Sequence, residues 1–215
     1  MCIPSVKNVI LSRETVFVAL FFAFYAIGYY PNIFAQYQKS ADSPLVKDEA
    51  VKPLEKNWQS FDSAYFTVEY SPDVNLEKVE RKLRKRGIFF IPGTNPKTSS
   101  LETTEDKIAY RLDVLFGKAK DVLDMRPRIK KIKIKIFKNQ NDLDRGYYGI
   151  FKESRHYKSF YVYRYNTIYT CEDNISDSVM AHEMGHAIVD HYFVVRPPED
   201  VRELLAQYVD LHLED

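Results

Sequence analysis

Apolar and polar residues alternate most regularly over 129–137, IKKIKIKIF, whose later half places isoleucine at every second position. A period of two predicts a strand with one buried face and one lysine-rich face in water. A shorter alternation runs through 65–70, YFTVEY, and predicts a second strand. Segments 159–163 and 167–171 are aromatic and β-branched and predict two more. Elsewhere the spacing is helical. Ile108, Leu112, Leu115 and Val122 fall on one face of a helix expected over 105–125, and 76–86 reads as a charged helix after the turn at Ser71, Pro72 and Asp73. A short helix is expected over 139–145, followed by a flexible loop holding Gly146 and Gly149. Ser176 or Asp177 can cap a helix that runs to about Tyr192. Pro197 and Pro198 then break the chain, and Pro198 suits the first turn of a last helix from Glu199 towards Leu213.

The order is strand, helix, helix, strand, short helix, two strands and two helices. That order predicts an α+β domain, a small mixed sheet against which the last helices pack. The folded unit is expected over 61–215. Residues 36–60 are polar, contain Pro44 and Pro53, and read as a linker. The segment 87–104, with Pro92, Gly93 and Pro96, reads as a loop.

Ahead of these, Lys7 and Arg13 precede an apolar run over 16–30, and Ala35 offers a small residue for cleavage. Residues 1–35 therefore read as a secretory signal peptide or an uncleaved membrane anchor. Either reading puts the domain outside the cytoplasm, secreted, periplasmic or tethered to a membrane through 16–35.

Composition narrows the function classes. Hydrophobic residues make up 45% and charged residues 28%, which fits a globular domain. Lys plus Arg is 31 and Asp plus Glu is 30, so the net charge of +1 gives no pull towards nucleic acid. The basic clusters at 78–86 and 126–138 carry periodic apolar residues and read as solvated faces of a helix and a strand. Two cysteines, Cys2 and Cys171, cannot build a disulfide framework, and Cys171 reads as a small apolar residue.

The chemistry concentrates at His182-Glu183-Met184-Gly185-His186. Two histidines four apart on a helix stand on one face, one turn apart, and can share one zinc ion. Glu183 projects beside the metal and can move a proton from water to a leaving amine. Small residues Ala181, Gly185 and Ala187 would let this helix approach a neighbour closely. Zinc needs a third protein ligand, and the downstream candidates are Asp190, His191, Glu199, Asp200, Glu203, His212 and Glu214. His191 is rotated off the shared face. Asp190 better suits orienting a histidine, or is a solvated helix carboxylate. Glu199 and Asp200 suit a helix N-terminus. Glu203 lies one turn inside the last helix, and an antiparallel return would carry it back to the histidines.

His182-Glu183-Met184-Gly185-His186 followed by Glu203-Leu204-Leu205-Ala206-Gln207-Tyr208 resembles the gluzincin clan of zinc metallopeptidases. The resemblance implies a zincin-like fold, zinc held by His182, His186 and Glu203, and Glu183 as general base in hydrolysing peptide or protein substrates. It also implies that 167–171 is an edge strand that holds an extended peptide. It covers about the last 50 residues. Arg202 and Leu204 depart from the Asn and Gly usual around the glutamate, and the His186–Glu203 spacing is slightly short. With no large C-terminal subdomain, the oxyanion-stabilising role falls open to Tyr208, His191 or Tyr192. Two other readings use the same residues: a zinc hydrolase of a non-peptide amide, and a non-catalytic zinc-containing peptide-binding module.

Overall fold

The structure, a computed structural model, describes residues 57–83 and 102–213. The expectations for 1–35, for most of the linker and the 87–104 loop, and for Glu214 lie outside the described residues.

Five strands form one mixed sheet in the order β1-β2-β3-β5-β4. β1 (Gln59–Asp62) is antiparallel to β2 (Phe66–Tyr70), which runs parallel to β3 (Ile132–Phe137); β3 is parallel to β5 (Thr167–Cys171), and β4 (Ser159–Val162) is antiparallel to β5. The helices among the described residues are α1 (Leu76–Lys82), α2 (Thr104–Leu123), α3 (Gln140–Phe151), α4 (Asp177–Tyr192) and α5 (Glu199–Leu211). The α+β architecture expected from the residue pattern is the one observed.

Period-two patterning builds the main core. Phe66 and Val68 of β2, Ile132, Ile134 and Ile136 of β3, and Ile168 of β5 all point to one side and are fully buried. Ile108, Leu112, Leu115 and Phe116 of α2 and Met180, Ala181, Met184, Ala187 and Ile188 of α4 cover them. Each fully buried aliphatic or aromatic chain of this kind contributes about 1.5–3 kcal/mol. On the other side, Lys133 and Lys135 both pair with Glu69 of the neighbouring strand, as expected for a solvated face.

Four local features differ from the sequence reading. β1 begins at Gln59, inside the expected linker; its one strong apolar residue, Phe61, is too little to show alternation. The helix α3 does not stop at Arg145 but continues to Phe151, through Gly146 and Gly149. Leu143, Tyr147, Ile150 and Phe151 pack with Phe160 and Cys171 on the second side of the sheet, so burial overrides the weak helix preference of glycine. A Cβ at Gly146 would stand 2.9 Å from the tip of the Phe137 ring, so the glycine lets that ring lie close against α3. Pro198 is the N-cap of α5, one position before the first turn. Finally, β5 is interior and β4 is the edge. Both segments are short and rich in aromatic or β-branched residues, with four of five β5 positions and three of four β4 positions buried, and neither pattern marks an outer strand.

Candidate metal centre

α4 is buried on most of its circumference. Ser176 caps it by accepting a hydrogen bond from the Val179 N–H. Its sheet-facing residues are Met180, Ala181, Met184, Ala187 and Ile188, while Gly185 faces α5. The side left partly open carries His182 and His186, whose side chains are 25% and 13% exposed. Their Nε2 atoms stand 3.2 Å apart.

α5 returns antiparallel along α4. Ser178 donates to Asp210 at one end, and Asp190 pairs with Arg202 at the other. Between them Glu203 faces both histidines: Oε1 is 3.6 Å from His182 Nε2 and Oε2 is 3.3 Å from His186 Nε2. Among the described residues, His182, His186 and Glu203 form the one group of three side chains able to share a metal ion. Tetrahedral coordination with bonds of about 2.0–2.1 Å places neighbouring donor atoms roughly 3.3 Å apart. One donor atom from each of the three side chains lies within 4.8 Å of the others, close to that spacing, and two nitrogens plus one oxygen is a donor set suited to zinc.

The electrostatics without a cation follow from the same proximity. Burial lowers the His182 pKa, assisted by the neighbouring His186. Burial alone would lower His186 too, but the Glu203 carboxylate outweighs it and holds His186 above its usual value. The His186 hydrogen bond leads the interactions that keep Glu203 ionised, down to about 2.

Glu183 lies beside this group and is only 5% exposed. Burial raises its pKa to about 7; His186, the Ser159 hydroxyl and the Tyr161 backbone N–H oppose that, too weakly to cancel it. Ser159 and Tyr161 belong to the edge strand β4. Among the described residues β4 is the outermost strand of the sheet on that side.

The other candidates lie elsewhere. Asp190 orients neither histidine and is no solvated carboxylate: it is buried and accepts a two-pronged hydrogen bond from Arg196 (2.9 and 2.8 Å), with Arg202 3.6 Å away. His191 bonds Tyr161 Oη through Nε2 at 3.1 Å, as its rotation off the shared face implies. Glu199 pairs with Arg202, and the Asp200 carboxylate accepts from the Val201 N–H. Tyr208 stacks on His212, and Tyr192 meets Phe193 edge-on. Arg202 is buried and donates to the Pro197 carbonyl, so it fastens the α4–α5 connection. Gln207, not singled out in the sequence, donates to Glu203 Oε1 at 2.9 Å; its i,i+4 spacing was the available signal.

Compared with known protein families, with curated proteins and with solved structures, the chain finds no match. The functional reading therefore rests on these side chains.

Proposed function

We propose that the chain is a zinc-dependent peptidase of the gluzincin type, built on a zincin-like fold. One observation carries the reading: His182, His186 and Glu203, from two antiparallel helices, converge at coordination spacing beside a buried, otherwise unexplained carboxylate, Glu183. Bound there, zinc supplies Lewis acidity, which acidifies a water molecule and polarises a carbonyl. Glu183 takes the proton from the attacking water and passes it to the nitrogen of the breaking amide bond, so the amine leaves neutral. Its burial raises its proton affinity above that of an ordinary carboxylate, which suits it to take a proton and give it up again. β4, the outermost strand among the described residues, is placed to hold an extended peptide as an added strand. A purely structural zinc site has no use for a buried carboxylate that it does not ligate.

The apolar run at 16–30 supports export or tethering outside the cytoplasm, where a peptidase would meet protein substrates. No helix among the described residues is long and apolar enough to cross a membrane.

The test is zinc stoichiometry combined with casein or peptide-library cleavage. We expect one zinc per chain, chelator-sensitive hydrolysis, and a Glu183→Gln variant that keeps the metal and loses cleavage. Hydrolysis undiminished in that variant refutes the reading.

A further inference from the structure

Two consecutive valines stand at the tip of the α4–α5 hairpin, turned to solvent: Val194 is 103% exposed and Val195 82%. Single apolar residues on a surface are ordinary, but these have company. Tyr192 precedes them, and Tyr163 and Tyr165, in the turn between β4 and β5, are exposed as well. The turn and the tip form one face. The Tyr163 ring lies 5.1 Å from the His191 ring, and the Arg196 guanidinium sits 4.9 Å over Tyr163. The face is braced from beneath. Asp190 holds Arg196 by two hydrogen bonds, and Tyr161 Oη meets both His191 and Asn166. The valines are thus presented on a fixed support.

The chemistry of this face selects its partner. Tyrosine has an apolar body and a polar tip, and it gathers where lipid tails meet headgroups. Arginine and lysine lie along apolar surface while their charged heads reach phosphates. Arg196 follows the valines and Arg164 stands between the two tyrosines of the turn. Exposed Lys130 is at the same end of the sheet, its carbonyl 3.4 Å from the Asn166 side-chain amide. The acids close by are already engaged: Asp190 by Arg196, Glu199 by Arg202, and Asp200 by the Val201 N–H. The balance left over is positive and complements anionic headgroups. The sequence adds a separate reason. Its apolar run over 16–30 reads as a membrane anchor, and 31–58 could reach at most about 100 Å from that run to β1. A domain so tethered meets the bilayer at high effective concentration, so even a small face can dock.

We propose that the tip 192–196 and the turn 163–165 form a membrane-docking face: Val194 and Val195 enter the acyl boundary of a phospholipid bilayer, while Arg164 and Arg196 meet its headgroups. This rests on the reading above that the domain is tethered to a membrane. From His186 to the end of α4 is about 9 Å along the helix. Docking therefore holds the metal centre beside the bilayer and directs it to polypeptide stretches that lie close to a membrane surface.

The experiment places a polarity-sensitive fluorophore on the full chain, at Val194→Cys or, as a control on α3, at Tyr148→Cys. Both carry Cys2→Ser; Cys171 is buried and escapes labelling. Each labelled chain is mixed with phosphatidylcholine–phosphatidylserine vesicles, with and without a nitroxide quencher on the lipid tails. We expect the label at 194 to shift to the blue and to lose signal to the quencher, and the label at 148 to do neither. Adding Val195→Asp and Arg164→Glu should abolish the response at 194 while the chain stays on the vesicles and keeps its zinc content. A label at 194 that stays water-exposed on vesicle-bound chain overturns the proposal and leaves the tether standing. A response at 194 that survives the double change also overturns it. So does a blue shift that appears without vesicles and grows with protein concentration, which would assign the face to a second copy of the chain. A full chain that does not associate with vesicles removes both the docking face and the tether.

Discussion

Gly185 of α4 faces Ala206 of α5 so closely that a Cβ on the glycine would stand 3.0 Å from the Ala206 Cα and 3.3 Å from Val209 Cγ2. The backbone of Ala206 cannot swing aside as a flexible side chain could. This contact sets the separation of the two helices one turn from Glu203, and so sets the reach of the carboxylate to the histidines. Gly185→Ala is expected to push α5 outward. Zinc affinity should fall about 10- to 100-fold, and stability by roughly 1–3 kcal/mol. Competitive zinc titration and thermal unfolding measure the two effects. An alanine variant with parental affinity would show that the helices are not held by this approach.

Glu203→Ala removes the one oxygen donor. The remaining pair of imidazoles should hold zinc far more weakly, with metal lost on dialysis that the parent survives. Stoichiometry after dialysis reads this directly, and undiminished zinc would disqualify Glu203 as a ligand.

Glu183 gives the metal-free protein a distinctive pH response. Its pKa is raised on folding, from an ordinary value near 4.5 to about 7. The folded state thus binds the proton more tightly, and the stability this confers is complete below about pH 4.5 and lost as pH rises through 7. Glu183→Gln should therefore stabilise the metal-free protein at pH 8, by up to about 3 kcal/mol, and have little effect at pH 4.5. Denaturant unfolding of chelator-treated protein at the two pH values checks the sign.

Glu172 behaves in the opposite sense. Burial alone would raise its pKa, but the Asn75 N–H (2.8 Å), Lys138 (2.7 Å) and Lys78 (2.9 Å) outweigh that and hold it at about 2. Its contribution is present above pH 4.5 and disappears as pH falls towards 2. Because both lysines are more than a third exposed, we expect only about 1–2 kcal/mol after screening. Acid unfolding of Glu172→Gln should lack this component.

Asp190→Ala leaves Arg202 buried beside an empty place and frees Arg196. Removing one partner of a buried pair costs about 3–5 kcal/mol. The expected outcome is a marked fall in melting temperature accompanied by weaker zinc binding, since α5 loses its fastening at the end nearest Glu203.

Much of this was legible in the residues. The period-two isoleucines of β3, the Ser176 cap and the proline break before α5 each act through local geometry, and each element fell close to its expected place. The relation of Glu203 to His182 and His186 was also readable, because a break followed by a helix permits essentially one compact return. What escaped depended on neighbours distant in sequence. Gly146 and Gly149 are tolerated in α3 because Phe137 and Phe160 lie across from it. The outermost described strand is β4 because β5 inserts beside β3, a pairing that no property of 159–162 announces. Asp190 reads as an acid that orients a histidine or faces solvent until Arg196 and Arg202 come round the turn to meet it.

All three donors and the proposed base lie within one helical hairpin, so fewer than three dozen consecutive residues, 177–211, suffice to bring them together. The distances that the chain must close are short, and closing short loops costs little entropy. A cation that arrived while the strands were still unpaired would find its donors already able to meet, and would hold α5 against α4 before the sheet was complete. Metal supply during folding, and not only during turnover, would then govern how much of the chain reaches its native state.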